Sequence, residues 1–532
     1  MVTVVHNGRI HTPQGPGITA MVIDGATVAW LGGTDAVAAH LDSADEVVNL
    51  GGALVTPAFV DAHVHLTATG LAVTGLDLTS TRSAAEVLDR VAAFAAGSDA
   101  AVVLGSGWDD SSWIDPLVPT AGELQRAGSG RPVYLARVDA HSALVSADFL
   151  AAVPLPGGEA PAGEPEGWVR GERHDAIRRL ALSRLGRTDR RRAQTAALAD
   201  AAALGIAAVH EMAGPSISSA EDLIDLLAPD PGRPAVEIVG YWGELGAAAT
   251  ARELGAAGAA GDLFCDGAIG SHTAALHAPY TDRPEIRPGP RYDPQELAAH
   301  VAECTRIGLQ AGFHAIGDAA VDAVLAGVEL AAARCAPGSV AAARHRVEHA
   351  ELVSDPMRVA RSGLVASMQP VFDALWGGPG GLYETRLGAA RAATMNDLAA
   401  LLSAGVPLAF GSDSPVTPLN PWAVVRAAAY PHRSEAAISV RAAFAASTRG
   451  GWRAARCDGD GSGVLAVGAP ATYAVWTEGP LRVDAPDERI ARWSTDPHAT
   501  LAGLPDVAPG AVLPRCLRTV VRGATAYDAG EL

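Results

Sequence analysis

The 532-residue chain has no lysine; all forty of its basic residues are arginine. Set against fifty-nine acidic residues, they leave a formal net charge of −19. A field of that sign repels phosphate backbones and anionic bilayers, which argues against nucleic acid or a membrane surface as partner. A GC-rich coding sequence accounts for the bias toward Ala, Gly and Arg. Cysteine is scarce too. Cys265, Cys304, Cys335, Cys457 and Cys516 include no CxxC pair. Their odd number excludes a complete disulfide framework, so a reducing compartment fits. No run approaches the ~18 apolar residues of a membrane span. The opening MVTVVHNGRIHTPQG lacks the long apolar stretch of a signal peptide. We expect a cytoplasmic protein acting on a small-molecule substrate, with no nucleic-acid or membrane partner. Nothing in these residues speaks against a homo-oligomer.

What is present describes a well-buried, enzyme-like chain: 49% hydrophobic and 19% charged residues. Its length exceeds one compact core, so two domains or a large barrel with an appendage are expected. Residues 1–56 read as short strands punctuated by NG, DG and GG turns. Residues 451–532 have the same character, so both ends are expected to build one small β-domain. Between them, eight candidate strands alternate with Ala/Leu-rich helices. They are LVTPAFVDAHVH, LGIAAVHEM, AVEIVGYW, GDLFCDG, LQAGFHAIGD, RHRVEHAE, GLVASMQP and VPLAFGSDSP. That order predicts a parallel α/β barrel over 57–450. The stretch 67–195 is far too long for a barrel loop and reads as an inserted subdomain capping the mouth. A flexible tongue is expected near 153–167.

Side chains alternate along a strand, so His63 and His65 point the same way. Barrel active sites lie at the C-terminal ends of the strands. Polar residues at those ends are His63, His65, His210, Glu211, Asp262 to Asp266, His314, Glu348, His349, Gln369 and Asp413. Each has a bland alternative. HxH can be structural, His314 can cap a helix, His349 can pair with His345 on a helix surface, and Asp413 can form an N-cap. Together those alternatives demand five coincidences at the right strand ends. Imidazoles with a carboxylate suit a borderline divalent ion, Zn²⁺ by default, with Mn²⁺ or Fe²⁺ as alternatives. Such an ion lowers the pKa of a bound water to roughly 7, and a nearby carboxylate can take the proton.

The motifs TPAFVDAHVHL, DGAIGSHTAALHAPY, HAIGDAAVDAVLAG, RVEHAELV, SMQP and FGSDSPVTPLNP resemble those of the amidohydrolase superfamily, in its YtcJ-like branch (amidohydrolase family 3). NGRIHT, GSGWDDSSW, DAHSALVS and SGVLAVGAP extend the likeness over nearly the whole chain. The resemblance implies a distorted (β/α)8 TIM-like barrel, a composite β-sandwich and metal-dependent hydrolysis, usually at C–N bonds. It places the metal ligands at His63, His65, His314, His349 and Asp413. Many relatives carry a carboxylated lysine on strand four that bridges two metals; here Asp262 stands in that place and no carboxylated lysine can form. The favoured expectation is one Zn²⁺ held by His63, His65, His314 and Asp413, with His349 polarising the substrate carbonyl. The second is a two-metal site bridged by Asp262, Cys265 or Asp266. The third is a relic site without metal.

The activity implied is hydrolysis of a non-peptide C–N bond (amide, formamide or cyclic amide), with Asp413 and His349 catalytic. The rivals are deamination of an aminated heterocycle on the same scaffold and a non-catalytic small-molecule binder. For substrate contacts we expect Trp108, Asp109, His272 and Gln369, with Trp113 as a second aromatic wall. His141 is ambiguous between lid and core. His6, His11 and His40 receive no function.

Overall fold

The computed structural model describes residues 1–15, 17–98, 100–115, 117–154, 165–477, 479, 481–482 and 503–532. Eight parallel strands line up in sequence order: Phe59–Val64, Ile206–Ala213, Glu237–Trp242, Gly258–Ala259, Gln310–Ala315, Arg346–His349, Val365–Met368 and Leu408–Phe410. Nearly every residue in them is buried, as parallel strands covered by helices require. The ends of the sheet meet through backbone bonds from Asp413 N to His63 O (2.8 Å) and from His65 N to Ser414 O (2.9 Å). At that seam a Cβ on Gly411 would lie 2.5 Å from the His63 nitrogen, so only glycine lets strand eight approach strand one. The α/β barrel is as the sequence predicts.

The helices around it carry clear stop and start signals. Pro294–Ile307 begins at Asp293, whose side chain accepts from the nitrogens of Gln295 and Glu296 in a capping box, a device worth about 1 kcal/mol. It packs on Asp318–Arg334, whose Gly327 sits where a Cβ would come within 2.6 Å of Leu297 Cβ. Among the described residues, no helix is long and apolar enough to cross a membrane.

Two sheets lie outside the barrel at the chain ends. One joins Thr27–Gly32, Ala20–Asp24, Val2–His6 and Glu46–Asn49. The other joins Arg9–Ile10 and Leu54–Pro57 with Tyr473–Trp476, Cys516–Val521 and Ala524–Asp528. Strands from both termini therefore share a sheet. Between barrel strands one and two, Leu76–Asp77, Val103–Trp108, Val133–Arg137, Ser142–Val145 and Trp168–Arg170 form a separate five-stranded sheet. The tongue expected near 153–167 falls mostly outside the described residues.

Three local readings change. Strand four proper is Gly258–Ala259, and GDLFCDG adds to it only a single parallel bridge, Phe264 to His314. Gly261 takes φ +87° and interrupts the strand at Asp262; pairing with strand five resumes through Leu263 and Cys265, which bond the His314 backbone at 3.1 and 2.9 Å. LVTPAFVDAHVH divides into Leu54–Pro57 in the outer sheet and Phe59–Val64 in the barrel. Val2–His6 and Arg9–Ile10, short strands on either side of the NG turn, lie in different sheets because Asn7, at φ 58°, turns the chain between them.

Candidate metal centre

At the C-terminal mouth, four imidazoles and two carboxylates converge. Asp262 is central: its oxygens lie 3.4 Å from His63 Nε2, 3.1 Å from His65 Nε2, 3.4 Å from His314 Nδ1 and 3.6 Å from His349 Nε2. Asp413 Oδ1 lies 3.4 Å from His63 Nε2 and 3.1 Å from His65 Nε2. His63 and His65 get there by strand alternation. His349 does not, because Arg346 and Glu348 already occupy the inward face of its strand. A left-handed φ of 69° at His349 turns its imidazole into the mouth. Asp413 is likewise left-handed, at φ 55°. Non-glycine residues in this region cost energy and cluster at functional sites.

The remote nitrogen of each ring faces an acceptor. His63 Nδ1 donates to Glu348 Oε2 (3.0 Å), His65 Nδ1 to Met212 O (3.1 Å) and His349 Nδ1 to Gln369 Oε1 (2.8 Å). His314 Nε2 faces Gly267 O at 3.4 Å. Each bond fixes a tautomer whose other nitrogen offers a lone pair toward the same small volume, the arrangement metal-ligating histidines adopt. His63 Nε2, His349 Nε2 and Asp413 Oδ1 are buried there with no hydrogen-bond partner. Buried orphan atoms are costly, and a divalent cation is what this donor set would satisfy. In the absence of a bound ion, burial opposes a charge on His65, yet the adjacent carboxylates of Asp262 and Asp413 raise its pKa to about 9. Asp262 is held well below the usual carboxylate range: burial opposes this, and the surrounding imidazoles prevail.

Beneath the cluster lies a buried polar network. Arg346 Nε and Nη2 donate to Glu348 (2.7 and 3.0 Å), and Nη2 also to Ala62 O (2.6 Å). Arg346 Nη1 bonds His210 Nδ1 at 2.8 Å. His210 is thus part of the barrel interior, and Glu348 orients His63. Asp61 accepts from Ser412 N (2.9 Å) and His63 N (3.2 Å), tying strand eight to strand one.

Of the candidate bridges, Asp262 reaches all four imidazoles, whereas Asp266 approaches only His314, Nε2 to Oδ1 at 3.8 Å. Cys265 is buried in the main core, where burial pushes its thiol well above the ordinary range. Asp266 spends its oxygens on the nitrogens of Ile316, Gly317 and Ala275, at 3.0, 2.8 and 2.9 Å. The substrate contacts change as well. Trp108 and Trp113 are core residues of the insertion; Trp108 Nε1 donates to Leu135 O (2.8 Å) and Trp113 Nε1 to Thr81 O (3.1 Å). Asp109 holds Arg137 at 2.7 Å. His272 turns to Asp282 (3.0 Å) and lines neither cavity beside the cluster. Gln369 serves His349.

The insertion reaches the centre through residues we had not assigned. Asp139 accepts from Arg137 (2.9 Å) and from Ser271 Oγ (2.6 Å), pinning the insertion to the loop after strand four. His141 packs edge-on against His314, ring centroids 5.3 Å apart. Burial, then the charge of His314, lowers its pKa to about 3. The motif DAHSALVS was the available signal.

A family model described as the amidohydrolase family matches residues 46–527. The chain belongs to the amidohydrolase family. YtcJ of Bacillus subtilis (strain 168) is 25% identical over 472 residues, covering 80% of this chain and 83% of YtcJ. LONG AFTER FAR-RED 3 of Arabidopsis thaliana is 27% identical over 466 residues, covering 80% of this chain and 77% of that protein. The crystal structure of an uncharacterized metal-dependent hydrolase from Pyrococcus furiosus aligns with a TM-score of 0.71 at 26% identity, covering 91% of this chain and 100% of that one. A second such structure, from Pyrococcus horikoshii OT3, aligns at 24% identity with the same TM-score of 0.71 and shows the same fold.

Proposed function

We propose that this amidohydrolase-family protein is a metal-dependent hydrolase of a non-peptide C–N bond (an amide, formamide or cyclic amide). The observation that carries the reading is the set of buried orphan atoms, His63 Nε2, His349 Nε2 and Asp413 Oδ1, aimed into one volume. The aligned hydrolase structure supports it. His63, His65 and Asp413 would hold one ion, and His314 and His349 a second, with Asp262 bridging. The position of Asp262, within 3.6 Å of all four imidazoles, favours this two-ion arrangement over a single ion. The donor set suits Zn²⁺, and also Mn²⁺ and Fe²⁺. A bound ion supplies Lewis acidity toward a carbonyl and lowers the pKa of water to roughly 7.

The protein's own residues divide the remaining work. Asp413 accepts the proton of the attacking water and returns it to the departing nitrogen, so the C–N bond breaks to amine and carboxylate. It lies against the cluster and lines the smaller cavity, within reach of both. Gln369 and Glu348 fix the tautomers of His349 and His63. His141, kept neutral by burial, closes the mouth beside His314 without adding positive charge.

A panel of N-acylated and N-formylated amines, cyclic amides and aminated heterocycles tests the reading with the zinc-loaded protein. Release of amine and carboxylate supports it. Ammonia from the heterocycles alone would make the protein a deaminase. No turnover and no metal uptake would make it a binder on a relic site.

A further inference from the structure

Beside the metal centre lies a cavity of about 600 Å³, within the range of pockets that enclose small molecules. One wall is the barrel mouth, with His65, Glu211 and Trp242; the other is the insertion, with the helix Gly171–Ser183. Its surface is mostly apolar, from residues such as Leu71, Leu104, Leu182 and Ile217. The insertion thus supplies half of a pocket that opens beside a ligand histidine.

The charges in that lining are not balanced. Asp222 is taken by Thr67 (2.7 Å), Gln194 (2.9 Å) and Arg190 (3.2 Å). Glu211 accepts from the Leu66 nitrogen at 2.7 Å. Glu221 is exposed in the first turn of the helix Ala220–Leu227. Arg178 and Arg179 also line the cavity, and among the described residues neither makes an ion pair with a carboxylate. Arg178 is half-buried and Arg179 is exposed. The nearest acidic neighbour of Arg178 in sequence, Asp175, lies within its field but beyond ion-pair distance, and is engaged directly by His174 at 3.6 Å and Arg291 at 3.7 Å. The lining of this mostly apolar pocket therefore carries two guanidinium groups that no carboxylate takes up at ion-pair distance. Guanidinium groups receive carboxylates through paired N–H bonds.

We propose that this cavity receives an elongated apolar substituent of the substrate and that Arg178 and Arg179 bind a carboxylate at its far end. The inference rests on the hydrolase reading for which bond is cut, but not for the binding itself. Hydrolysis of an N-formyl ω-amino acid, for example, takes up one water and yields formate and the ω-amino acid.

Calorimetry on the zinc-loaded protein compares decanoate, decan-1-ol and decylamine. Decanoate is expected to bind at least ten-fold more tightly than the alcohol. In R178Q/R179Q that preference is expected to vanish while zinc content and alcohol binding are unchanged. If decanoate binds the double variant as it binds the wild type, its carboxylate sits on the metal and the proposal is overturned. Equal affinity for all three ligands in the wild type overturns it as well. In the hydrolysis assay, N-formyl-10-aminodecanoate is expected to exceed N-formyldecylamine at least ten-fold in kcat/KM, a difference lost in R178Q/R179Q. Arginine-dependent decanoate binding without turnover of either formamide would leave the pocket assigned and count against the hydrolase reading alone. Turnover favouring the neutral formamide would do the reverse.

Discussion

Replacing Glu348 with Gln removes one charge and keeps the shape of the side chain. In the wild type this carboxylate takes Arg346 Nε at 2.7 Å, Arg346 Nη2 at 3.0 Å and His63 Nδ1 at 3.0 Å, all fully buried. Arg346 and His63 both present donors, and an amide offers a single acceptor oxygen. One of its N–H groups must then face another donor. Leaving Arg346 without its counter-charge should cost about 3–5 kcal/mol, the range for breaking a buried ion pair by removing one partner. A less basic His63 should weaken metal binding by about 10–100-fold. Urea unfolding in the presence of EDTA isolates the first effect, and competition against a chelator of known affinity measures the second. A variant within about 0.5 kcal/mol of wild type, the scatter of neutral surface changes, with unaltered metal affinity would refute the assigned role of the network.

Asp413→Asn should retain its metal while turnover falls by about 10²–10⁴, the usual worth of a general acid–base group; near-normal activity would remove Asp413 from proton transfer. Gly70→Ala should destabilise the fold by about 3 kcal/mol or more, because its Cβ would lie 1.8 Å from the Ala193 carbonyl oxygen where the helices Leu66–Thr74 and Arg187–Ala203 cross; an unshifted Tm would show that the two helices can part there. His345 is kept neutral, chiefly by burial, its pKa lowered from 6.5 to about 3, with Nδ1 accepting from the Ala311 nitrogen at 2.8 Å. Protons bind the unfolded imidazole first, so this stability is complete above pH 6.5 and drains away as pH falls toward 3. The loss is about 1.4 kcal/mol per pH unit and up to about 5 kcal/mol in all. Urea midpoints of wild type and His345→Asn between pH 7.5 and 4.5 should converge on acidification; parallel curves would contradict this.

Much of the barrel was legible in the sequence, as were all six residues of the centre, some by local rules and the rest through motifs. Strand alternation puts His63 and His65 on one face, and barrel architecture puts strand ends at the mouth. His349 breaks that rule, since alternation gives its strand's inward face to Arg346 and Glu348. The left-handed turn at His349 restores it; strand alternation does not announce that turn, and it is the motif RVEHAELV that marks the residue. Strand four is shorter than GDLFCDG suggests because Gly261 carries a φ that interrupts it, leaving a single bridge at Phe264. Trp108 resembled a binding residue because a lid and a small core both demand large aromatics. The 600 Å³ cavity had no sequence signal at all. Its walls join Leu71, Arg178, Ile217 and Pro415, which only the folded chain brings together.

The most direct test of the account is metal content by elemental analysis after reconstitution with zinc, on wild type and Asp262→Asn. We predict two equivalents in the wild type and no more than one in the variant. One equivalent in both proteins would contradict the bridging role of Asp262, and no metal in the wild type would contradict the centre itself.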